Sequence, residues 1–184
     1  MGEEKERVNA LAVTAIGADR PGIVAAVTDA LLHEGCNLED TAMSILRGQF
    51  AMVLVVAAPG GVDAARLEQA IGQRTAGFDL VLAVRPLHDT HESAAPIDTW
   101  TAVVHGADQP GIVHAVAQAL ASLDVNILDL TTRVAESTPP IYSMVLELSF
   151  PPGVDEADVI AALDRVASEL DVTCTLHRSD ADLL

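Results

Sequence analysis

The sequence predicts an α+β chain built from two βαββαβ units in tandem, each an antiparallel four-stranded sheet with both helices on one face. Three observations predict it. The octapeptide GADRPGIV at residues 17–24 returns as GADQPGIV at residues 106–113, with one letter changed. Without a gap, residues 17–40 match residues 106–129 at 13 of 24 positions, at an offset of 106 − 17 = 89. Both halves also pass through the same order of strand-like and helix-like apolar runs.

In the first half, ALAVTAI is a short β-rich run. After the glycine turn, PGIVAAVTDALLHEG places Ile23, Val24, Val27, Ala30 and Leu31 on one helical face, and Gly35 is placed to end that helix. NLEDTAMSIL and FAMVLVVAA read as two strands around a short polar turn, VDAARLEQAIGQ as a second amphipathic helix, and DLVLAVRP as the closing strand. The second half repeats this with TWTAVVH, PGIVHAVAQALASL, NILDLTTRV, IYSMVLELSF, DEADVIAALDRVASEL and VTCTLHR. The match lapses over RGQ against VAESTPP, then resumes with Met52 on Met144, at 144 − 52 = 92. The three extra residues fall in a polar, proline-bearing stretch, where hairpins tolerate insertion.

A first domain is therefore expected over residues 1–86 (core 9–86), a linker over 87–97, and a second domain over 98–184 (core 98–178). The linker is polar and holds His88 and His91 beside Asp89 and Glu92. A solvated linker seldom fixes ligands, so no metal site is expected there. FAMVLVVA does not alternate: Met52, Leu54 and Val56 point one way, Ala51, Val53 and Val55 the other. An antiparallel sheet with one wet face should alternate. The open sheet face is thus expected to be covered, or the strand to be central in a wider sheet, and a homo-oligomer is expected.

With aromatics at only 3%, the core must be aliphatic. The net charge of −17 repels phosphate backbones, and the basic residues form no stripe, so direct nucleic-acid binding and attachment to an anionic membrane are excluded as expectations. The start, MGEEKERVNALAV, is not a secretory signal, and Glu6 spoils a myristoylation motif. The longest apolar run is too short and broken to span a bilayer. Cys36 and Cys174 lie among apolar neighbours without metal-like spacing and read as buried, reduced thiols of a cytoplasmic protein.

The repeated turn joins a strand directly to a helix. A helix start leaves backbone N–H groups unpaired and carries positive partial charge. Pro21 suits the first turn, and Gly22 lets a ligand or backbone approach closely. Asp19 can accept N–H bonds across the turn or meet a cation. Donors for an anion beside an acid for an amine complement an α-amino acid, and a bare carboxylate fits as well. The same residues also serve a plain strand-to-helix turn. Asn37 and Asn126 coincide across the repeat, with amides able to meet a carboxylate or an ammonium, or simply to close a turn. Asp40 and Asp129 also coincide, at positions where a strand side chain can face water.

DRPGIV…GCNLED and DQPGIV…DVNILD within a doubled βαββαβ order resemble the ACT domain, a small-molecule regulatory module of ferredoxin-like fold. The resemblance covers roughly residues 9–86 and 98–178. A chain of two such domains without an attached enzyme is similar to the glycine cleavage system transcriptional repressor group. That resemblance implies amino-acid binding between the strand-to-helix loop of one domain and the facing edge of another. Asp19, Pro21, Gly22, Ile23 and Asn37 would form one site, and Asp108, Pro110, Gly111, Ile112 and Asn126 the other. Backbone N–H groups near Gly22 and Ile23 would hold the carboxylate, and Asn37 the amino-acid backbone groups. It also implies action through a regulatory protein partner rather than through DNA, with no cofactor. The copies differ at Arg20 against Gln109, Ala25 against His114 and Gly35 against Asp124, so their selectivities are open.

Two other readings stand beside the sensor. One is a protein-interaction module with no ligand. The other is an enzyme using Cys36 with His33, or His105 and His114. Neither Cys36 nor His33 is repeated, and no nucleophile, base and orienting group can be assembled, so no catalysis is expected. Trp100 is expected to fill core or interface.

Overall fold

The computed structural model describes residues 9–87, 98–135 and 140–179 of the 184-residue chain. The chain divides into two compact units, residues 1–92 and 93–184. The first runs β1 (Asn9–Ala18), α1 (Ile23–His33), β2 (Asn37–Leu46), β3 (Gln49–Ala58), α2 (Ala64–Arg74) and β4 (Val81–Pro86). The second runs β5 (Thr99–Ala107), α3 (Ile112–Ala121), β6 (Asn126–Ala135), β7 (Ile141–Ser149), α4 (Glu156–Leu170) and β8 (Val172–Arg178). The linker residues beyond Leu87, with His88 and His91, fall outside the described residues, as do 136–139 in the β6–β7 connection.

Each unit is one antiparallel sheet, in the orders β2-β3-β1-β4 and β6-β7-β5-β8. This is the ferredoxin-like α+β fold, twice. The most apolar runs, β1 and β3, take the interior positions of the first sheet, where both edges of each strand find backbone partners. Leu11, Val13 and Ala15 of β1 and Phe50, Met52, Leu54 and Val56 of β3 line its helix-covered side, with almost no exposure. Onto them α1 lays Ile23, Val27, Ala30 and Leu31, a stripe at helical spacing, and α2 lays Leu67 and Ile71. The second core repeats the plan with Ile112, Val116 and Leu120 of α3 and Val159, Leu163 and Val166 of α4.

Side chains and glycines set the helix ends. Asp63 caps α2 by accepting from the Arg66 N–H at 2.8 Å, and Asp155 caps α4 by accepting from the Asp158 N–H at 3.1 Å. Helix α1 ends in a Schellman motif, with the Cys36 N–H on the Leu31 carbonyl and the Gly35 N–H on that of Leu32. Gly35 has φ 72°, as its place after the helix demands. Helix α3 closes in the same way with Asp124, at φ 56°, in the glycine's position.

The non-alternating β3 receives only half of the burial its sequence asks for. Its helix-facing residues are buried, whereas Val53, on the other side, is 48% exposed. Strand β2 pairs on one edge only and is exposed throughout. Both β2 and β6 carry an irregularity at one equivalent place, between Leu38 and Asp40 and between Ile127 and Asp129. One extra residue, Glu39 or Leu128, is accommodated there as a β-bulge.

Candidate functional site

The two strand-to-helix turns have the same backbone. Gly22 and Gly111 each stand at the N-cap with φ 100°, in the left-handed region where a Cβ is strained. Helices α1 and α3 therefore begin at Ile23 and Ile112. Pro21 and Pro110 precede the cap instead of occupying the first helical position, because a residue at φ 100° interposes between proline and helix. The glycine's task is primarily this backbone angle. Around Gly111 an added Cβ would meet nothing within 4 Å, and at Gly22 it would meet only the Phe78 ring, at 3.4 Å.

No side chain caps either helix, so Asp19 and Asp108 do not have the capping role that Asp63 and Asp155 have. Both carboxylates are exposed. The Ala26 N–H bonds to the Gly22 carbonyl and that of Ala115 to the Gly111 carbonyl, each at 2.9 Å, and the Ile23 N–H reaches the Arg20 carbonyl only at 3.5 Å. Among the described hydrogen bonds, the N–H groups of Val24 and Ala25, and of Val113 and His114, have no backbone partner. These are the free donors of a helix start, open at an exposed turn. Ile23 and Ile112 are 1% and 2% exposed, so they offer a ligand their backbone and keep their side chains in the core.

The asparagines stand elsewhere in each unit. Ala18, which leads into the first turn, pairs with Gln49, whereas Asn37 pairs with Ala57 at the other end of β3. The separation is 57 − 49 = 8 residues along the strand, or about 26 Å at ~3.3 Å per residue. The second unit repeats this: Ala107 pairs with Ile141, and Asn126 with Ser149. Asp19, Pro21, Gly22 and Ile23 thus come together, as do Asp108, Pro110, Gly111 and Ile112, but neither group gathers its own asparagine.

Neighbouring residues distinguish the two turns, and sequence reasoning passed them over. In the first unit the loop after α2 carries Phe78, held by its N–H on the Thr75 carbonyl, beside Gly22. In the second unit α4 runs straight through Asp171 into β8, and no such ring is present. There Gln109 donates to the Leu170 carbonyl and ties the turn to the end of α4. The Asp19 N–H bonds to the Gly48 carbonyl at 2.9 Å, which anchors the first turn to the β2–β3 hairpin. That hairpin is a two-residue turn with positive φ at Arg47 and Gly48, so it sets the exposed Arg47 near the turn. Tyr142, paired with Gly106, is buried, and its hydroxyl reaches the Met144 sulfur at 3.6 Å. Burial first, and the charge of Asp108 second, push the phenol's pKa up, so it stays a neutral donor beneath the second turn. A repeated aromatic at the strand start, Phe50 and Tyr142, was the sequence signal for it.

The candidate catalytic pair does not assemble. His33 Nδ1 lies 2.9 Å from the Asp29 carbonyl and 3.3 Å from its carboxylate. Cys36 is half-buried against the first core, and Cys174 against the second, rather than fully buried as expected. Burial above all, and then the carboxylates of Glu34 and Asp164 respectively, raise both thiols above their ordinary value. Both stay protonated near neutrality. His105 and His114 are exposed. Trp100 stacks on Phe150 with ring centroids 4.9 Å apart. Among the described residues no group of three or more His, Cys, Asp or Glu could hold a metal ion, and no helix is long and apolar enough to cross a membrane.

The fold and its paired glycine turns define a protein of two tandem βαββαβ units. The ACT domain model matches residues 9–85 and 102–177, and the chain belongs to that family. It is 26% identical over 172 residues to the glycine cleavage system transcriptional repressor of Escherichia coli, covering 91% of this chain and 88% of that protein. An unknown protein from Galdieria sulphuraria superimposes with a TM-score of 0.81 at 28% identity, over 95% of this chain and all of that one. A putative glycine cleavage system transcriptional repressor shares the fold with a TM-score of 0.71 at 20% identity, over 94% and 98%.

Proposed function

We propose that this protein is a non-catalytic regulator of the cytoplasm that senses a small carboxylate ligand, an amino acid, at its strand-to-helix turns. It acts through contact with a protein partner, in transcriptional control of the glycine-cleavage type. The observation that carries the reading is the doubled turn: the same φ of 100° at Gly22 and Gly111, free N–H donors behind it, and an exposed carboxylate beside it. The donors suit the carboxylate of an amino acid and Asp19 or Asp108 its ammonium. Because each asparagine lies at the far end of its own sheet, Asn37 and Asn126 complete a site only when another domain, of the same chain or of a second copy, brings one to a turn. A homo-oligomer is one way to supply that second domain. The name of the Escherichia coli relative supports the regulatory role, and the charge of −17 supports protein contact over DNA contact.

The test is a thermal-shift screen of the full chain against the twenty amino acids and related carboxylates. A ligand at 100 times its dissociation constant adds about 2.7 kcal/mol, on the order of 5–10 °C for a chain of this size. The expected result is a shift with one or two amino acids. It should shrink in Asp19→Ala or Asp108→Ala and vanish in the double variant, with the ligand-free melting temperature unchanged. No shift with any compound would sink the sensor and leave a protein-interaction module.

A further inference from the structure

The helix-free faces of the two sheets are chemically different, although the sheets are copies of one plan. In the first unit the register sets rows across this face. One row is Ala42, Val53, Thr14 and Ala83, and the next is Ser44, Ala51, Ile16 and Val81. These side chains alternate with the buried Leu11, Val13 and Ala15, so they point away from the helices. Val53, Ile16 and Val81 are 48%, 45% and 72% exposed. The equivalent rows of the second unit hold Thr131, Val145, Val103 and Thr175, and Arg133, Ser143, His105 and Thr173, and the row beyond them holds Asp129, Glu147, Thr101 and His177. That face keeps an apolar centre, with Val145 42% exposed, but charged and polar residues flank it on both sides, whereas the first face is apolar over two adjoining rows and asks for cover.

One row of the first face names its cover. Asp40, Val55, Ala12 and Arg85 stand in line across all four strands, so an acid and a base mark opposite edges at one level. Both are exposed, and neither has an ion-pair partner among the described residues. A two-fold axis parallel to the strands, between two stacked sheets, lays β2 of one copy over β4 of the other without a shift along the strands. Asp40 of each copy then meets Arg85 of the other, twice, around a centre of Ala, Val and Thr. Sheets stack at about 10 Å, within the combined reach of an Asp and an Arg side chain. A face four strands wide and about 27 Å long covers roughly 500 Å² per copy, or about 1,000 Å² in total, which is where stable interfaces begin. The small residues at the centre let the two sheets approach closely.

We propose that the helix-free face of the first unit is an isologous dimer interface, occupied by the same face of a second copy and registered by two Asp40–Arg85 pairs. The corresponding face of the second unit, with Glu147 and His105 where the first has Val55 and Ile16, has no part in it.

Sedimentation of the full chain tests this by charge reversal. The wild type is expected at 2 × 19.2 = 38.4 kDa. Asp40→Arg alone and Arg85→Asp alone each set like charges against each other twice, and should weaken the dimer on the order of tenfold or more. The double variant Asp40→Arg with Arg85→Asp restores opposite charges and should restore the dimer. Val53→Asp, at the centre, should give a folded monomer by circular dichroism; should that variant fail to fold, the charge reversals at exposed edges still decide. A monomeric wild type overturns the proposal. So does a dimer indifferent to both single reversals, or a double variant that stays as weak as the singles.

Discussion

At Gly22 and Gly111 a backbone angle of 100° is the whole reason for the residue type, since neither site is crowded. A side chain there carries the left-handed penalty of about 1–2 kcal/mol. Gly22→Ala and Gly111→Ala should each lower stability by that amount in denaturant unfolding. Gly22→Ala should cost the same or slightly less, because its Cβ gains an ordinary contact with the Phe78 ring at 3.4 Å. The ends of α1 and α3 give the converse case. Asp124 holds at φ 56° the place that Gly35 holds in the first unit, so Asp124→Gly relieves strain that Gly35 never had. It should raise the second unit's stability by up to about 1 kcal/mol, read in the same unfolding curves. A loss of stability would mean that Asp124 makes a compensating interaction.

At the scale of elements, order and type were legible because hydrophobic period, glycine stops and the repeat agreed. Each half checked the other: a run read as helix in one recurs as helix in the second. Two things were hidden. Gly22 and Asn37 are 15 residues apart in sequence (37 − 22), and nothing in that spacing says that helix α1 returns the chain to the far end of the sheet. Phe78 aligns with Leu170, an aliphatic residue at the end of α4, so the repeat did not mark an aromatic at that place. The N-terminal boundary of α1 was missed by the width of the turn, because Pro in a first helical turn and Pro just before a cap leave the same letters.

For the whole molecule, the two sets of buried residues form separate cores, one in each unit. Trp100 lies against the second. Leu146→Ala, which empties a buried site there, should cost about 2–5 kcal/mol and shift the tryptophan fluorescence transition. Leu54→Ala, the equivalent loss in the first core, should shift the far-ultraviolet transition and leave the tryptophan signal nearly in place. If both variants moved that signal equally, the units would unfold as one. The non-alternating FAMVLVVA signalled a second apolar side on β3, but one strand cannot name what lies against it. Only the register across four strands, which aligns Asp40 with Arg85, carries that information.

The bulge in β2 has a consequence for how the chain tolerates changes of length. Strict alternation would put Asn37 and Glu39 on one side and Asp40 on the other. With Glu39 set aside, Asn37 and Asp40 share a side, opposite Ala57 and Val55. Glu39 is therefore slack in the line, a spare link between two stretches already in phase. Removing it should close the ladder without turning a single neighbour over, and the variant lacking Glu39 should fold with an unchanged circular dichroism spectrum. Removing Thr41 instead draws Glu39 into the ladder opposite Val55 and turns Asp40 over, a change confined to an exposed edge strand, so that variant should fold as well but lose the Asp40–Arg85 row.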